Sequence, residues 1–522
     1  MTMTQPRLYP IGNPYFPELI EQRLAYVDKT AYIYRMTHSG AKYVFLSRPR
    51  RFGKSLLVST LQAYFEGRRE LFLGLAIDGM EQEWHSYPVL HFDLSMGSDF
   101  DRDSLNEFLI HQIERNERRF NIAGTSTRIN IRLTGLIEQV FEQTGQQVVV
   151  MVDEYDAPLL GVVHEVDNLD TLRHVMVNFF KPLKGLNPYI RFCFLTGVTK
   201  FSQLSIFSAF NNIKNISMDA DYAAICGITR EELTTQLHED IASLATRLGI
   251  TPAQALNKLV EYYDGYHFAW PSPDIFNPYS LILAFSDGKI KPYWFETGTP
   301  TYLVEMMRHY GMTYLEEGGY ICEADQFDQP TERMEDAIPL LYQSGYLTIK
   351  DCDESCGSYT LNVPNREVYL GLSRSLLVNY IKQPHLVKNM VSRMYFAIYR
   401  GQMDEALRDM QQVFSRLPYC DNADSEGSLQ RLLALVFVLL GYKTLTEVRT
   451  STGRIDVVMT TPSRLYLIEL KLDQSAATAM RQIDLKDYPA FFAYTGLPRV
   501  KVGINFDKAT RNLTDWTIEE LP

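Results

Sequence analysis

From Tyr43 the chain alternates between two periodicities. YVFL is a short apolar run and SRPRRFGK is polar; Leu56, Leu57, Leu61, Tyr64 and Phe65 then recur at helical spacing up to Gly67. The pattern predicts a strand, a loop and a helix. Further apolar runs at 88–95 (PVLHFDLS), 147–154 (QVVVMVDE) and 190–197 (IRFCFLTG) are separated by helical stretches, the order of a parallel sheet with helices on both faces. An α/β domain is expected over 1–225.

After Gly227 the strand-like runs stop. Thr229 and Glu232 have capping-box spacing, and helical spacing continues through YYDGYHF to NPYSLILAF, which predicts a helical lid over 226–290. Over 291–385, a helix near 334–343, hairpin arms GYLTIKD and SYTLNVP, and a helix after Pro364 predict a winged-helix-like region. Such units bind DNA or serve as packing and partner modules, and fold alone does not choose between these. A helical linker region is expected over 386–425, running into the polar stretch PYCDNADSEGS at 418–428. The final α/β domain, 426–522, reads as an apolar helix at 429–440, strands TLTEVRT, RIDVVMT and RLYLIELKL, a helix containing MRQIDLKDY, and a strand RVKVGINF.

Composition narrows the class. A chain of 522 residues is too long for one hydrophobic core and divides into roughly three domains of ordinary size. With 46% hydrophobic and 22% charged residues it is globular in type. A formal net charge of −12 means that nucleic-acid binding requires a local basic surface. The six scattered cysteines form no disulfide framework, and Cys352 and Cys356, near metal spacing, read as a hairpin turn. A cytoplasmic location and no membrane span are expected: the N-terminus lacks a secretory apolar stretch, and LLALVFVLLGY at 432–442 is too short to cross a bilayer.

Two stretches carry phosphate chemistry. In SRPRRFGKSL, Gly53 lets the backbone approach phosphate and the amides of Phe52 to Leu56 point into it. Lys54 supplies charge and Ser55 can ligate Mg²⁺. Arg48 stands where the usual G-x-x-x-x-G-K-[ST] pattern has its first glycine. Arg50 and Arg51 neutralise developing charge or pair with nearby acids. Downstream, VVVMVDE places Asp153 to hold Mg²⁺, directly or through water, and Glu154 to orient or deprotonate the attacking water. Thr196, with Thr199 and Lys200 behind it, ends a third strand, as a γ-phosphate sensor or as an ordinary turn residue.

The second stretch is RIDVVMTTPSRLYLIELKL. Asp456 lies on one strand; Glu469 and Lys471, two apart, share a face of the next, while Ile468, Leu470 and Leu472 take the other. Paired carboxylates suit Mg²⁺, and Lys471 can position or activate water against a phosphodiester. Glu426 precedes these strands, and Gln482 and Lys486 follow on the next helix.

YVDKT (26–30), SRPRRFGKSL (47–56), VVMVDEYDAP (150–158), TGVTKFS (196–202), YDGYHF (263–268), NPYSL (277–281), YWFETGTPTYL (293–303), RIDVVM and IELKL together resemble the bacterial and archaeal AAA-ATPase-like proteins with a C-terminal PD-(D/E)XK nuclease-superfamily domain. The resemblance spans nearly the whole chain. It implies a P-loop ATPase coupled to a nuclease-like domain, and a phosphate loop in which an arginine replaces the first glycine. Members show aromatic residues after the acid before the nuclease strands; here Glu426 is followed by GSLQRLL, a departure at that ligand position. The expectation is an ATP-binding, ATP-hydrolysing protein that gates a Mg²⁺-dependent nuclease, with nucleic acid, DNA ahead of RNA, as partner. The alternative is a nucleotide-dependent switch whose C-terminal domain only binds a partner or nucleic acid. An AAA-type ring and a monomeric switch both stay open.

Overall fold

The computed structural model describes residues 7–521 except 98–99, 125, 163–164, 201–212, 295–302, 304–305, 308, 311, 313–318, 330–333, 381–392, 416–432, 434–435, 438–439, 441 and 511. The chain forms two compact units, one of Met1–Gly311 with Gly319–Val368 and one of Tyr369–Pro522 with Met312–Gly318.

The first unit is built on a five-stranded parallel sheet: β1 (Tyr43–Ser47), β2 (Val89–Asp93), β3 (Val148–Asp153), β4 (Ile190–Gly197) and the two-residue β5 (Lys214–Asn215). Their order is β2-β3-β4-β1-β5, so β4 lies between the strand that feeds the phosphate loop and the strand that ends in Asp153. Every residue of β3 is buried, which requires cover on both faces. Lys54–Phe65, Arg102–Phe120, Ile129–Thr144 and Val166–Gly185 are the main helices of this layer.

The region expected as a lid packs Arg230–Gln236, His238–Leu248, Pro252–Tyr263 and Pro278–Asp287 around Leu233, Leu244, Leu259, Tyr263 and Leu281. Strands do not stop entirely here: β6 (Ile228–Thr229) pairs antiparallel with β7 (Ile275–Phe276). Two residues are too few to show an alternating pattern. The expected capping box forms, with reciprocal hydrogen bonds between Thr229 and Glu232. Beyond the lid, β8 (Tyr320–Glu323), β9 (Thr348–Asp353) and β10 (Ser358–Asn362) form an antiparallel sheet in the order β8-β10-β9, adding one strand to the expected hairpin, and Cys356 sits in its turn.

The second unit is a five-stranded mixed sheet, β11 (Lys443–Arg449), β12 (Arg454–Thr460), β13 (Leu465–Leu472), β14 (Arg499–Asp507) and β15 (Asn512–Leu521), in sequence order, with only β13 and β14 parallel. Ile468 and Leu470 face a core shared with Met403, Leu407, Met410 and Phe414, from the stretch expected as linker. Leu467 faces Met480 and Ile483 of Ala476–Leu485 on the other side.

Candidate functional site

The turn from β1 into Lys54–Phe65 is made by Gly53 at φ +96, a conformation that penalises any side chain. No side chain caps that helix, so its leading amides are left for an external acceptor. Lys54 is buried; its ammonium donates to the carbonyls of Arg48 and Pro49 at 3.1 and 3.2 Å and pairs with Glu154 at 3.2 Å.

Arg48 is only 1% exposed. Its guanidinium donates to the carbonyls of Ser47, Ser217, Tyr222 and Ala223 and lies 4.3 Å over the Phe268 ring. The residue in the glycine position is thus a pillar that ties the loop to the segment after β5, and desolvation lowers its pKa to about 10.

Across the sheet edge, Asp153 is buried, and burial pushes its carboxyl up to about 6 against the opposing hydrogen bond of Ser55. Its Oδ1 has no hydrogen-bond partner among the described residues, nor has the hydroxyl of buried Thr196. Glu154 adopts φ +52, unusual for a side-chain-bearing residue. Asp156, fully buried, accepts from the amides of Val198 and Thr199 and from the Thr199 hydroxyl. It positions the loop after β4 rather than joining Asp153. Lys200 pairs with Asp328, and its amide donates to the Gln343 side chain.

The arginines beside the loop diverge. Arg50 is exposed, while the Arg51 guanidinium lies 4.1 Å over the Tyr279 ring of the lid. The Phe52 side chain is buried edge-on against Tyr266 and Phe268, and its carbonyl accepts from the Gly227 amide. Gly53 and Leu56 border a largely apolar cavity walled by Tyr26 and Val27, Ile228, Pro278 and Ile282. Sequence reasoning missed this cavity. The signal was the apolar pair inside YVDKT, upstream of the loop. Lys29 of that stretch lines the cavity too, bonded to Glu232 and to the Ala224 carbonyl.

In the second unit, the antiparallel register of β12 and β13 sets Val457 opposite Ile468 and therefore Asp456 opposite Glu469. Both carboxylates are buried. Asp456 Oδ2 accepts from the Leu470 amide at 2.8 Å; Lys471 donates to Glu469 Oε1 at 3.1 Å and to the Leu470 carbonyl at 3.0 Å. Burial, then the nearby charge of Asp456, pushes Glu469 up to about 7, and its Oε2 lacks a partner among the described residues. Tyr488 lies within electrostatic reach of both acids, with Gln482 beside it. Lys486 instead borders Gly453, and its carbonyl accepts from Thr452. Among the described residues no third Asp, Glu, His or Cys completes a metal cluster; Glu426 lies outside them.

These features define a P-loop-type α/β unit followed by a nuclease-like α/β domain. A family profile described as predicted AAA-ATPase matches residues 10–207, and one described as PD-(D/E)XK nuclease superfamily matches 424–516. An uncharacterized protein in the vnfD 5' region of Azotobacter chroococcum mcd 1 is 31% identical over 528 residues, covering 98% of this chain and 99% of its own. The chain belongs to the predicted AAA-ATPase family and carries a PD-(D/E)XK nuclease-superfamily domain at its C-terminus.

Proposed function

We propose that the first unit binds and hydrolyses ATP, and that this cycle controls a Mg²⁺-dependent nuclease centre in the second, acting on nucleic acid with DNA ahead of RNA. The observation that carries the first half is the placement of Asp153: a buried carboxylate bonded by Ser55, one oxygen unused, at the sheet edge where Lys54 and Glu154 pair.

The residues fit both groups. Ser55 and Asp153 supply hard oxygen ligands for Mg²⁺, and the uncapped amides from Gly53 onward, with Lys54, suit phosphate. The apolar cavity beside Gly53 and Leu56 suits a flat base. When bound, Mg²⁺ would neutralise phosphate charge. Glu154 would hold or accept a proton from the attacking water once Lys54 turns to phosphate, and the Thr196 hydroxyl would donate to the terminal phosphoryl group. In the second unit Asp456, Glu469 and the Leu470 carbonyl would hold Mg²⁺, and Lys471 would orient water against the phosphodiester. The unused Glu469 Oε2 supports this reading, because a buried carboxylate oxygen without a partner is costly unless a ligand claims it.

The test is ATP turnover and DNA or RNA cleavage, with Mg²⁺ or Mn²⁺, by the full chain and its variants. Lys54→Ala is expected to abolish ATP turnover and Lys471→Ala cleavage alone. Loss of nucleotide-dependent cleavage in Lys54→Ala would demonstrate the coupling. If the wild-type chain hydrolyses ATP but cuts no nucleic acid with either metal, the C-terminal domain is a binding module.

A further inference from the structure

Two stretches, YDGYHF and NPYSL, whose polar residues the nucleotide reading leaves without a task, converge on one buried carboxyl group. Glu367, at the start of Arg366–Tyr380, is 0% exposed. Its Oε1 accepts from the Ser280 hydroxyl at 2.9 Å and from the Trp294 amide at 2.8 Å. Its Oε2 has no partner among the described residues, and the donor groups that share that condition include Arg51 Nη1, the Tyr266 hydroxyl and Asn277 Nδ2. Tyr266 lies within reach of Asn277 and Asn365 and senses the charge of Glu367, yet closes no hydrogen bond of ordinary geometry. Arg51 acts electrostatically on Glu367, from φ +67 and with its guanidinium on Tyr279.

Orphaned polar atoms from the phosphate loop, YDGYHF, NPYSL and the 366–380 helix are thus linked: Arg51 and Tyr266 each interact electrostatically with Glu367, Asn277 is within reach of Tyr266, and Arg51 lies on Tyr279, the neighbour of the Ser280 that bonds Glu367. Buried polar groups left unpaired are rare because each forfeits its hydrogen bond to water. Within the set, Arg51 Nη1 and Glu367 Oε2 are the complementary cation and acid, and Arg51 adjoins Phe52-Gly53-Lys54-Ser55. We propose that Glu367 is a positioning residue of the nucleotide site, acting through Arg51: it decides whether the guanidinium serves the phosphates or is drawn into the lid. This rests on the ATP reading above.

The direction follows from the surroundings. Burial pushes Glu367 up to about 8 despite hydrogen bonds from Trp294, Ser280 and Tyr293 and the charge of Arg51. Tyr263 and Tyr266 also face it, but burial raises both phenols, so they stay neutral across this range. At neutral pH Glu367 is mostly protonated and leaves Arg51 Nη1 uncommitted. Above pH 8 it ionises and captures the guanidinium, weakening its hold on a phosphate.

The experiment is steady-state ATP hydrolysis by the full chain from pH 6.5 to 9.5, for wild type, Lys54→Ala and Glu367→Gln, with melting temperatures measured alongside. The wild-type KM for ATP is expected to rise about tenfold between pH 7 and 9.5, following ionisation of a single acid, with kcat changing far less. Glu367→Gln, near-isosteric with the neutral acid and so expected to fold, should hold the low-pH KM throughout. If Glu367→Gln tracks wild type at every pH while Lys54→Ala is inactive, the ATP site stands and Glu367 is merely structural. If Lys54→Ala matches wild type, the ATP reading itself fails and takes this proposal with it.

Discussion

Arg48 gives its guanidinium to four backbone carbonyls while one face lies on Phe268. Removing the side chain leaves those acceptors buried without a donor and opens a space as large as an arginine. Arg48→Ala is therefore expected to cost about 3–5 kcal/mol, read as a lower urea midpoint. Arg48→Lys should recover part of the loss, since an ammonium donates at one point where a guanidinium spans several. None of this was legible in the sequence, where Arg48 showed only as a missing glycine. Its partners Ser217, Tyr222 and Ala223 lie about 170 residues away, far beyond what a periodicity of 2 or 3.6 reports. Asp456, Glu469 and Lys471 were easier to read, because adjacent strands joined by a short turn convert sequence spacing directly into shared faces.

At the scale of elements, the helix Arg230–Gln236 carries a side chain with two duties. Glu232 accepts from the Thr229 amide at 2.8 Å in the capping box, and both its oxygens accept from Lys29 at 2.6 Å. Thr229→Ala removes one cap and should cost about 1 kcal/mol. Glu232→Ala also leaves the mostly buried Lys29 ammonium uncompensated, so about 3 kcal/mol is expected; chemical denaturation of the two variants side by side checks the ordering. The capping box was readable because its residues are three apart, whereas the Lys29 pair joins residues separated by 203 positions. The apolar strands β3, β4 and β13 declared themselves by composition. The edge strand β15 did not, because along it Leu513 alone is buried, with Trp516 and Ile518 only partly covered; a half-solvated edge lacks a clean alternation.

For the whole molecule, the proposed nucleotide site lies in the first unit and the proposed nuclease centre in the second, so their ligands should act on separate transitions in a thermal melt. Mg²⁺ with a non-hydrolysable ATP analogue at about 100 times its dissociation constant should stabilise the first unit by about 2.7 kcal/mol. Lys54→Ala is expected to erase that shift and Glu469→Ala to retain it, as calorimetry can resolve. The strand order shows how far chain order predicts a site: the strands and helices alternate as expected, but β4, last in chain order of that sheet's four long strands, lies between the strand before the phosphate loop and the strand that ends in Asp153. What chain order concealed is the lid's contribution. The apolar cavity draws on residues near 9, 26, 53, 228 and 282, and only the folded chain brings those together.

Arg48 has one last implication, for anyone who edits such loops toward a consensus. Installing the expected glycine would improve the match to the standard phosphate-loop signature and, at the same stroke, pull the keystone from the arch that holds it. For this chain, resemblance to the motif and fitness for the task would move in opposite directions.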